Sequence, residues 1–156
     1  MRMMLLNMKQ NIFHDLAAET LIRRLSYLGL VPFVLLAALM WLVSADLHPF
    51  IAIALVSYAG AIAAFLGGIH WGIGLRPNAP HAVWHIGWGV VPSLVAWVAV
   101  VMPAFAGLPL LGLLLVACCV VDHKTWPRAG LAAWLPMRLH ITIVAVICCL
   151  LGAAGT

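Results

Sequence analysis

Apolar residues along the chain fall into five blocks, residues 27–45, 50–75, 83–102, 106–121 and 137–153. Crossing hydrocarbon as a helix takes about 20 apolar residues. The blocks are of that order, the fourth only if it begins as early as Ala104. The pattern predicts an all-α fold, a polytopic membrane bundle of five transmembrane helices over residues 25–156. Residues 1–24 read differently. Met4, Leu5, Met8, Ile12 and Leu16 recur every three or four positions, with Lys9, Asn11, Asp15 and Glu19 on the other faces. That spacing predicts an amphipathic interfacial helix lying on the membrane.

The second block carries the most specific pattern. At 100° per residue, Gly60, Ala63, Ala64, Gly67, His70, Trp71 and Gly74 share one side. Ser57, Ala61, Gly68 and Gly72 lie on the adjoining flank, and bulky residues gather opposite. In lipid, apolar side chains gain little by hiding from other apolar groups, so helices meet where small residues let backbones approach. The third block offers a matching stripe of His85, Gly89, Pro92, Ala96 and Ala99. These stripes predict that the second helix is the hub and the third docks on it. Gly68 and Gly72 also fit the small-xxx-small spacing of membrane helix contacts.

Composition sharpens the picture. The 156 residues are 66% hydrophobic and 8% charged, with a mean hydropathy of +1.15; a soluble domain carries about 25% charged residues. The net charge of +4 therefore reads as topology rather than as a nucleic-acid surface. Arg2, Lys9, Arg23 and Arg24 precede the first span, Arg76 lies in the second loop, and Lys124, Arg128 and Arg138 lie in the fourth. The first loop, the third loop and the tail hold no basic residue. The positive-inside rule then predicts a cytoplasmic N-terminus and a periplasmic C-terminus. Arg23, Arg24, Arg76, Lys124, Arg128 and Arg138 are expected to face lipid headgroups. Trp41 and Trp97 fall toward the outer boundary, and Trp71, Trp84, Trp126 and Trp134 toward the inner one. The first 24 residues lack the continuous apolar core of a cleavable signal, so the first span is expected to direct insertion.

Little chemistry is written into the blocks. Cys118-Cys119 and Cys148-Cys149 are adjacent pairs that cannot bridge internally without distortion and match no zinc spacing. No phosphate loop, Gly-x-Ser-x-Gly or His-Glu-x-x-His occurs, which argues against an enzyme. Asp46 and Asp122 fall at helix ends, away from where a proton-coupled carrier places its acids. The histidines are the candidates that remain. His70 lies about five residues inside the second span; His85 opens the third and His140 the fifth. His81 and His85, four apart on one helix, would share a metal ion, and His70 with His85 or His140 is the pair that would clamp a haem b iron. The plainer reading is a hydrogen bond from His70 to a neighbouring helix, with no cofactor.

The strings Phe65-Leu66-Gly67-Gly68-Ile69-His70-Trp71-Gly72, Leu28-Gly29-Leu30-Val31-Pro32-Phe33, Tyr58-Ala59-Gly60-Ala61 and Val91-Pro92-Ser93-Leu94-Val95-Ala96-Trp97 carry a resemblance. They are similar to an uncharacterised bacterial membrane-protein family of unknown function related to mitochondrial transmembrane protein sixty-nine. The resemblance implies a five-helix protein of the bacterial inner membrane without an established activity. In relatives the position of His70 often looks like arginine, which argues against an obligatory haem ligand there. The expected function is that of a non-enzymatic accessory or assembly subunit. Its partners would be the lipid bilayer and a larger respiratory or other energy-converting complex. The alternatives are a His-ligated haem or metal redox protein and a small transporter or lipid-handling protein.

Overall fold

The structure, a computed structural model, describes residues 16–156. The amphipathic repeat expected in residues 1–24 thus lies largely outside the described residues. Five helices are long and apolar enough to cross a membrane. The first, Leu16–Leu42, is interrupted at Gly29, and its second part is α1 (Leu30–Leu42). It is followed by α2 (His48–Gly74), α3 (Ala82–Val101), α4 (Ala104–Thr125) and α5 (Leu135–Ala154). No break separates residues 16–24 from the first span; helix runs through them.

Local chemistry explains the joints. Pro32 has no N–H to offer the Leu28 carbonyl, which interrupts the helix beside Gly29, and the Tyr58 hydroxyl ties the neighbouring Gly29 carbonyl to α2 at 2.7 Å. A single 3₁₀ turn, Ala45–Leu47, leads into α2, where Pro49 occupies the first turn and gives up an N–H that had no partner there. Only Met102 and Pro103 separate α3 from α4, which forces a tight antiparallel pair.

The hub is α2. It packs against all four other helices, and those four form an arc in the order α1, α5, α4, α3. The arc does not close, because α1 and α3 lack a comparable contact, and α2 fills the gap. Leu55, Ala59 and Ala63 of α2, Ala99 of α3, Leu108 and Leu111 of α4 and Cys149 of α5 are buried at the centre.

The α2–α3 seam runs along the small residues. A Cβ on Gly67 would collide with the carbonyl of Gly89, and one on Gly89 would collide with the Trp71 ring. Gly60 faces Val100, Gly74 faces Ile86 and the carbonyl of Ala82, and Ala63, Pro92 and Ala96 are buried with them. Ala64 is half-buried. Gly68 and Gly72 depart from the expectation: both are exposed, and a Cβ on either would meet nothing within 4 Å. They lie on the flank of α2 that looks out through the gap in the arc.

The fourth span differs most from its apolar block. It runs from Ala104 to Thr125, so Asp122 lies inside the helix rather than in a loop. Between α4 and α5 the chain makes turns at residues 126–130 and a 3₁₀ turn, Ala132–Trp134. Contacts gather the described basic residues at one end of the bundle. The Arg23 guanidinium lies 5.3 Å from the Trp134 ring centroid, and Arg76 donates to the Ala129 carbonyl at 3.3 Å.

Candidate functional site

Each helix around the hub carries an inward stripe at alternating spacings of three and four. On α2 it is Ala59, Ala63, Leu66 and His70; on α3, His85, Gly89, Pro92, Ala96 and Ala99. On α4 it is Leu108, Leu111, Leu115, Cys118 and Asp122; on α5, Arg138, Thr142, Ala145, Cys149 and Gly152. Every stripe becomes polar at the same end of the bundle. Four helices therefore deliver His70, His85, Asp122, Arg138 and Thr142 to one level, all buried.

These five side chains form one connected network. His85 Nδ1 and His70 Nδ1 are 2.9 Å apart, and His70 Nε2 lies 3.0 Å from Asp122 Oδ1. The other carboxylate oxygen, Oδ2, accepts from Arg138 Nε at 2.8 Å. Arg138 Nη1 donates to Thr142 Oγ1 at 2.6 Å, and that hydroxyl donates to the Arg138 carbonyl at 2.9 Å. A carboxylate only accepts, so His70 donates to Asp122 from Nε2, and one proton lies between the two Nδ1 atoms. His85 lines a cavity of about 220 Å³ with His81, Trp84, Thr125 and Arg128.

Aromatic rings wall the imidazoles. His70 and His85 stack with centroids 5.2 Å apart, and Trp84 meets His70 edge-on at 5.9 Å. Trp84 and Trp88 stack on each other at 6.1 Å. Three buried donors find no acceptor among the described residues: Trp88 Nε1, Trp126 Nε1 and Arg138 Nη2.

The arrangement separates the expected histidines. His70 and His85 meet; His140 does not join them and is exposed. The reason is angular: two residues on from Arg138 is about 200° around the helix, so burying Arg138 turns His140 outward. Arg138 itself is a correction. It was expected at the lipid headgroups, yet it is only 6% exposed and ion-paired with Asp122. Arg24, Lys124 and Arg128 are exposed, while Arg23 pairs with Glu19 at 3.0 Å. Asp122 and Thr142 were missed. Their signal was present in the three-and-four spacing, which carries each stripe through the polar residue.

Two imidazole nitrogens sharing a tetrahedral metal stand about 3.3 Å apart, with each bond about 2.0–2.1 Å, and axial haem ligands stand farther apart still. The 2.9 Å contact is a hydrogen bond, and Asp122 occupies the other nitrogen of His70. Among the described residues no group of three His, Cys, Asp or Glu side chains is placed to hold a metal ion. The residues as arranged do not fit such a centre.

Residues 18–154 match the family described as "Protein of unknown function (DUF3429)". The chain belongs to that family. Family membership thus covers all five helices and every residue of the polar network. The chain is also 40% identical over 73 residues to Transmembrane protein 69 of Xenopus tropicalis, a match covering 46% of this chain and 28% of the frog protein. No solved structure matches.

Proposed function

We propose that this multi-pass membrane protein is a non-enzymatic accessory or assembly subunit that docks onto a larger energy-converting membrane complex. The observation that carries the reading is the open flank of α2. Ala54, Ser57, Ala61, Gly68 and Gly72 are exposed at helical spacing on the helix that every other helix packs against, with Phe65 the bulky residue between Ala61 and Gly68. A strip of small residues about one aromatic ring suits close approach by a helix from another chain. The buried network suits the same role, because it ties four helices into a rigid body that can present the strip. The remaining surface faces the bilayer. In this reading the basic end lies in the cytoplasm of a bacterial cell and the C-terminus in the periplasm.

The test is extraction in mild detergent followed by mass spectrometry of co-purifying membrane proteins. Gly68→Leu and Gly72→Leu should abolish a specific partner without changing the chain's own thermal stability. Purification of the wild type alone, with no partner above background, would sink the proposal.

A further inference from the structure

The cavity of about 220 Å³ beside His85 lies at the basic end of the bundle, between the start of α3 and the end of α4. Sites for drug-sized ligands span about 300–1,000 Å³, so this one suits a single ion or headgroup. His81, His85 and Arg128 line it, and among the described residues no acidic side chain does. Arg76 donates to the carbonyl of Ala129, another lining residue, and so brings a second guanidinium to its edge. No side chain caps α3. The first N–H groups of a helix lack partners within it and favour negative charge. The charges about the cavity are thus of one sign, and they call for an anion.

His85 makes this more than a basic surface. It is 5% exposed and pinned through Nδ1 to His70. Its Nε2 takes no hydrogen bond from or to the described residues, yet it is not sealed off as Trp88 Nε1, Trp126 Nε1 and Arg138 Nη2 are. That free nitrogen opens on the cavity that His85 lines. Thr125 narrows the choice of anion. Its hydroxyl donates to the Val121 carbonyl at 2.8 Å, so only lone pairs are left for a ligand. Arg128, by contrast, can only donate. A carboxylate, a sulfate or a phosphodiester answers the guanidinium alone. A phosphate that keeps one O–H answers both, and it suits an imidazole nitrogen with or without a proton.

We propose that this cavity binds a phosphate group bearing one O–H, either inorganic phosphate or a lipid monoester headgroup, between Arg128 and His85 Nε2. The experiment places the full chain in phosphatidylcholine nanodiscs at about pH 6, where about half of a phosphate monoester keeps its O–H. Equal amounts of phosphatidic acid, a monoester, and phosphatidylglycerol, a diester, are added, and native mass spectrometry reads the lipid retained. A second arm measures binding of radiolabelled inorganic phosphate in competition with sulfate. One phosphate group per chain is expected, held about tenfold over phosphatidylglycerol or sulfate. Arg128→Gln, at an exposed position, should weaken it about tenfold, and so should His85→Asn, which keeps an amide near the Nδ1 position and removes Nε2. Lys124→Gln, at the same end but off the cavity, should change nothing. Displacement of phosphatidic acid by inorganic phosphate marks a soluble ligand, and retention against it marks the lipid. Equal retention of the two lipids, equal competition by sulfate, an equal loss in Lys124→Gln, or no bound phosphate would overturn the assignment.

Discussion

His70 Nε2 and Asp122 Oδ1 stand 3.0 Å apart, 52 positions apart in the chain, and both side chains are 2% exposed. Asp122 is therefore shared between an imidazole from the hub and a guanidinium from α5, and no other acidic side chain among the described residues joins this network. Removing the carboxylate leaves Arg138 charged in a dry interior. Asp122→Ala is expected to cost about 3–5 kcal/mol of stability, as for a buried pair broken on one side. Asp122→Ala combined with Arg138→Leu should recover much of that loss. Unfolding in graded denaturing detergent, followed by circular dichroism, measures both; equal losses in the single and double variants would contradict the ion-pair account.

The α2–α3 seam predicts a contrast between neighbours. Gly67→Ala drives a methyl group into the Gly89 carbonyl, an overpacked contact costing about 1–3 kcal/mol. Gly68→Ala meets open space and should be neutral or stabilising by up to about 1 kcal/mol through helix propensity. Melting temperatures of the two purified variants decide the point.

The Tyr58 hydroxyl holds the carbonyl of Gly29, where the first helix slackens. Tyr58→Phe removes the inter-helix bond to that carbonyl, which keeps its bond in the first turn of α1, and should cost about 1 kcal/mol. Hydrogen exchange should quicken around residues 28–33, with the far end of α2 unchanged.

All four cysteines are free and buried. Maleimide should leave the folded protein unlabelled and modify four thiols after denaturation. The same silence makes introduced cysteines clean reporters of topology. With the basic end in the cytoplasm, Thr156→Cys should label from outside intact spheroplasts and Asn78→Cys only after lysis; the reverse pattern would invert the orientation.

The periodic residues of α2 and α3 were readable because a stripe of Gly60, Gly67 and Gly74 against Gly89, Pro92 and Ala96 is a repeat within each helix, and the repeat alone says which side packs. Gly68 and Gly72 show the boundary of that reading. Small residues mark a side on which a partner fits, but whether this chain supplies the partner depends on the arc of helices, which is open there. Asp122 and Arg138 were misplaced for a related reason. A charged residue at the edge of an apolar block is normally held there by water, so hydropathy places the helix boundary beside it. Here each charge satisfies the other, and the helices continue past the point where hydropathy falls.

Five spans, the gathering of basic residues toward one end and the inward stripes of α2 and α3 were set by the sequence alone, because hydrophobic length and helical period are local properties of a chain in lipid. The meeting of His70, His85, Asp122 and Arg138, the outward turn of His140 and the cavity beside His85 were decided only in the tertiary structure. They require four separate helices to match in depth and in rotation, and that match depends on where α4 ends and on the order of helices around α2.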